Sequence, residues 1–149
     1  MHVKTLMSTL SAVTLLFIAT GAMAAGKPEF RDGWIRLLPA SLPAAGYFTL
    51  SNTGDSALTL TGARSTDYGS VMMHQSMTDS EGAHMRMVDA VAINPGETLR
   101  FKPGSYHLML MDARSKIEVG EKVPIQLMFA DGHSLDAEFT VRPAAASGP

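Results

Sequence analysis

Short runs of period-two hydrophobicity, each closed by a turn residue, constrain this chain more than any other feature. Residues 34–37, 46–50, 57–60, 70–74, 84–88, 123–129 and 134–141 place apolar side chains on alternate positions. No stretch sustains the i, i+3, i+4 spacing of an amphipathic helix. Asn52-Thr53-Gly54-Asp55, Asn94-Pro95-Gly96-Glu97 and Lys102-Pro103-Gly104-Ser105 read as turns, with proline fixing φ in the last two. Asp131-Gly132 is the strongest two-residue hairpin signal, and residues 78–82 read as a longer polar connection between two strands. About seven to nine short strands at this spacing predict an all-β domain, a β-sandwich or Greek-key barrel.

One strand is oddly filled. In GSYHLMLMDARS (104–115), Leu108 and Leu110 point to one face, and His107, Met109 and Met111 to the other. A solvated face is ordinarily filled by Lys, Glu or Thr, and a second core by Val or Ile. Methionine is clustered as well. Residues 1–24 carry three of the 11 methionines, and seven of the other eight lie between Met72 and Met111 together with His74, His84 and His107.

The first 24 residues read as an export signal, cleaved after Ala24. Lys4 supplies the positive end, residues 12–19 (AVTLLFIA) the apolar segment, and Ala22-Met23-Ala24 the small-x-small cleavage site. Residues 25–142 then form one domain, and 143–149 a flexible Pro- and Ala-rich tail. No membrane insertion is expected after cleavage. With 12 basic against 14 acidic residues, no basic stripe exists to neutralise phosphates, so nucleic acid is not an expected partner. The chain has no cysteine. It therefore cannot be stapled by disulfides, carry a lipid on sulfur, or hold blue or purple copper, which needs a thiolate. Neither G-x-S-x-G nor H-E-x-x-H occurs, and the chain reads as a non-enzyme.

A hairpin loop centred between Asp79 and Ser80 would oppose His74 and Met85 directly, and His107 and Met109 would join them as a same-face pair. Two imidazoles and two thioethers suit Cu(I) and serve Zn²⁺, Ca²⁺ or Mg²⁺ poorly. The same methionines also suit an adaptable protein-binding face or sacrificial oxidation. Met73 and Met128 read as core, and His133 as a surface residue beside its turn. On the residues alone these readings stay open.

The spacing His74-x10-Met85-x21-His107-x-Met109 resembles the metal-binding signature of the periplasmic Cu(A) copper chaperones (PCu(A)C-like). GWIRLLP (33–39), AAGYFTLSN (44–52), INPGETLRFKPGSYHLMLMD (93–112) and VPIQLMFADG (123–132) are similar to the same family. The resemblance implies a cupredoxin-like Greek-key β-sandwich that binds one Cu(I) through His74, Met85, His107 and Met109. It implies delivery in the periplasm to the Cu(A) subunit of cytochrome c oxidase or to a thiol-bearing copper chaperone. A copper buffer or resistance protein is the alternative, and a monomer is expected. His84, Met72, Met77, Met87 and Met111 fall outside the signature. The tail lacks the His- and Met-rich extension with which some members bind Cu(II), so a second site of that kind is not expected.

Overall fold

Alternation becomes burial strand by strand. In the late strand 122–129, Val123, Ile125, Leu127 and Phe129 are each at most 4% exposed, while the residues between them face outward. The structure, a computed structural model, describes residues 26–39 and 42–149, so the expected signal at 1–24 lies outside the described residues. Ten strands follow one another: β1 (Pro28–Arg36), β2 (Ala44–Asn52), β3 (Leu58–Ser65), β4 (Tyr68–Asp79) and β5 (Gly82–Met87), then β6 (Val91–Ile93), β7 (Thr98–Phe101), β8 (Tyr106–Ala113), β9 (Lys122–Phe129) and β10 (Ser134–Arg142).

They form one sheet in the order β5-β4-β8-β7-β2-β1-β10-β9-β3-β6, with β8 also paired to β2. β1–β10 and β7–β8 are parallel and the other pairs antiparallel. The sheet curls until β3 meets β4 across the interior. Ile35, Leu50, Leu60, Ile93, Leu108, Leu110, Leu127 and Phe139 fill that interior. Phe48 sits among them, stacked on Phe101 at 4.4 Å between ring centres and edge-on to Phe139 at 5.7 Å. This core leaves the edge strand β5 beyond its reach: every β5 residue is exposed.

Three expectations need correction. Strand β1 starts at Pro28, six residues before the apolar run, because Asp32 takes a left-handed φ of 57° and breaks the register between Arg31 and Trp34. That bulge hides the alternation from a period-two reading. Met128 is not core. It lies between buried Leu127 and Phe129, so it must face outward, where it is half-buried over Gly62. Finally, the β4–β5 turn is centred one residue later, at Ser80-Glu81. Asp79 pairs with Gly82, which holds a φ of +120°, and the Asp79 carboxylate accepts a bond from Glu81 N. Met73 is buried as expected, and His133 is exposed beside Asp131.

Candidate metal centre

The registers of β5, β4 and β8 assemble the site on the outward face of the sheet. β4 pairs with β8 so that His74 lies opposite His107 and Met72 opposite Met109. Leu108 and Leu110, at most 1% exposed, anchor β8 from the core side. The intervening residues must therefore point outward: His107 is nearly buried by its neighbours, and Met109 and Met111 are half-buried. The two imidazoles meet edge-on with ring centres 5.7 Å apart. On the other side of His74, β5 brings Met87 directly opposite it and Met85 opposite Ser76. Met85 is thus a diagonal neighbour rather than the opposed one, yet its Sδ reaches the Nδ1 of His74 at 3.2 Å. Diagonal pairs on a twisted sheet stay within reach of long side chains.

The nitrogens are oriented. Nδ1 of His107 donates to the carbonyl of Ser105 at 3.2 Å, because a carbonyl can only accept. That contact fixes the tautomer and leaves Nε2 of His107 with the lone pair a metal needs. His74 titrates below the ordinary imidazole range: partial burial disfavours its charged form first, and the charge of His107 adds to this. Both effects keep His74 in the neutral form that can ligate.

Of the four residues in the sequence signature, the structure brings His74, Met85 and His107 together by direct contacts and places Met109 on the same face, two residues from His107 and opposite Met72. His84 and Met77 are not gathered. They oppose each other on the other face of the hairpin, and Nε2 of His84 is bound to the Asp79 carboxylate. Met111 shares the face but opposes Ser70, about 13 Å along the strand from His107. Among the described residues no three His, Asp or Glu converge. The donors are therefore neutral imidazoles and thioethers, a set for a soft cation.

Fold and site together define a class: a cupredoxin-like β-sandwich with a soft-donor face beside one sheet edge. The chain belongs to the LpqE-like family, described as "Putative lipoprotein LpqE-like", which it matches over residues 29–141. It is 30% identical over 105 residues to "Putative lipoprotein Lxx21020" of Leifsonia xyli, and 34% identical over 89 residues to protein RP573 of Rickettsia prowazekii. It spans 63% and 49% of the lengths of these curated relatives. Among solved structures, the apo PCuAC domain of PmoF2 superposes with a TM-score of 0.68 at 23% identity, over 85% of this chain and 98% of that one. The solution structure of Cu(I)-DR1885 from Deinococcus radiodurans superposes with a TM-score of 0.63 at 31% identity, over 83% of each chain. The resemblance to PCu(A)C-like proteins thus extends to the fold.

Proposed function

We propose that this chain is an exported copper chaperone. It binds one Cu(I) through His74, Met85, His107 and Met109 and delivers it to the Cu(A) centre of cytochrome c oxidase or to a dithiol assembly partner. The juxtaposition of two imidazoles, flanked by thioether sulfur on an outward face, carries this reading. Likeness to a protein whose structure was solved with Cu(I) supports it, and a family described as lipoprotein-like supports export. The sequence itself has no cysteine to receive a lipid. Copper is cargo here, held by donors that are neutral when they bind it.

Anaerobic titration against a chromophoric Cu(I) chelator tests the proposal. One equivalent should be withdrawn from the chelator by each chain, and the product should be colourless, because d¹⁰ Cu(I) without thiolate has no charge-transfer band in the visible. Failure to compete for any copper would refute it.

The same assay across pH carries a second expectation. Protons compete with copper for the imidazole lone pairs, while thioethers do not titrate. His74 is held below the ordinary imidazole value, so its neutral form persists into mild acid. Retention should be flat through neutral pH and reach its midpoint below about 6.5, the ordinary imidazole value. A midpoint above that value would mean that the environment of His74 favours the charged ring.

A further inference from the structure

The hairpin register leaves a methionine that the four-residue set does not use. Met87, not Met85, stands directly opposite His74. Opposed side chains on antiparallel strands start about 4.5–5.5 Å apart at Cβ, and diagonal ones about 7–8 Å. Met87 therefore begins nearer to the imidazole than the residue whose sulfur touches it. Its backbone is fixed as well, because Val88 N donates to Met73 O at 2.9 Å and continues the ladder one residue beyond it. Yet its side chain is 61% exposed. An apolar side chain clamped at that position and left in water is not explained by packing. Met72, opposite Met109, lines a shallow hollow of about 240 Å³ together with Met87 and Asp89. His74 thus has the sulfur of Met85 in contact from the hairpin-tip side, Met87 directly opposite it in register, and Met72 two residues along its own strand.

We propose that Met87, supported by Met72, is a further Cu(I) ligand, giving the metal two overlapping sets of donors that share His74 and His107. This rests on the reading of the face as a Cu(I) site and deepens it. Cu(I) is d¹⁰ and imposes no geometry of its own, and exchange of one neutral thioether for another moves no proton, electron or net charge. The ion can therefore shift between Met85 and Met87 while both imidazoles keep hold of it. An acceptor approaching from the exposed β5 side could then displace one sulfur while the other still binds, so release need not pass through a two-ligand intermediate.

The test uses the whole chain labelled with ¹³C at the methionine methyls, titrated anaerobically with Cu(I). The methyl resonances of Met87 and Met72 should shift together with those of Met85 and Met109, while that of Met128 stays fixed. In chelator competition, Met85→Leu and Met87→Leu should each weaken binding by no more than about tenfold, and the double variant by at least about a hundredfold, more than the product of the two. Both substitutions lie at exposed positions, and unchanged melting curves confirm the fold. An unmoved Met87 methyl, with Met85→Leu already as weak as the double variant, would overturn the proposal and leave the four-residue site standing. If the wild-type chain withdraws no copper in the same assay, the underlying site reading falls, and this proposal with it.

Discussion

Replacing His107 by alanine is expected to lower the affinity for Cu(I) by at least about a hundredfold, since loss of mere outer-shell partners of metal ligands already costs 10–100-fold. The reason lies in how little else can take its place. His107 is nearly buried, its tautomer is fixed by the Ser105 carbonyl, and it faces His74 ring to ring. Thioethers share this face with the pair, but among the described residues no third imidazole reaches it. His84 is turned away and bound to Asp79, and His133 lies beside the β9–β10 turn. Chelator competition on the purified variant measures the loss. Affinity within about threefold of wild type, under 0.7 kcal/mol, would remove His107 from the site.

One residue further along, the outcome should reverse. Leu108 is fully buried, and its Cβ would lie only 3.2 Å from a side chain built on Gly46, so the neighbouring strand β2 approaches it closely. Leu108→Ala removes buried carbons at a place where the Gly46 backbone has no side chain with which to fill the gap. Such a change costs about 2–5 kcal/mol. At roughly 3–6 °C per kcal/mol for a domain of this size, the melting temperature should fall by some 6–30 °C. Well below that temperature, Cu(I) affinity should stay close to wild type. Neighbouring substitutions, one felt by the metal and one by the fold, follow from period-two geometry alone. A melting temperature within about 3 °C of wild type, less than 1 kcal/mol, would mean that Leu108 does not anchor the strand.

That alternation is also why so much was legible. In β8 the sequence shows both faces at once, leucines inward and donors outward, and the structure agrees. β2, β4, β9 and β10 were visible for the same reason. β6 and β7 were not, because three- and four-residue strands are too short to show a period. Two features of the site were out of reach. The pairing of β4 with β8, which sets His74 opposite His107, joins segments some thirty residues apart, and nothing local specifies it. The hairpin register turned on whether Gly82 closes the turn or lies beyond it. With Gly82 paired to Asp79, the partner of His74 moves from Met85 to Met87, and a rule built on spacing alone cannot see the second sulfur.

If these donors hold copper for delivery, they must also give it up, and transfer tests that proposal most directly. Four neutral ligands leave the single positive charge of Cu(I) uncompensated, whereas a reduced pair of cysteines offers softer, anionic sulfur. The ion should therefore pass downhill to such a pair without an energy source. The measurement is to mix the Cu(I)-loaded chain anaerobically with excess reduced, copper-free Cu(A) domain or a dithiol chaperone, separate the two, and assay the metal in each. Copper is expected on the acceptor. Copper remaining on this chain at equilibrium, with the acceptor thiols shown to be free, would contradict delivery and point instead to a protein that stores copper.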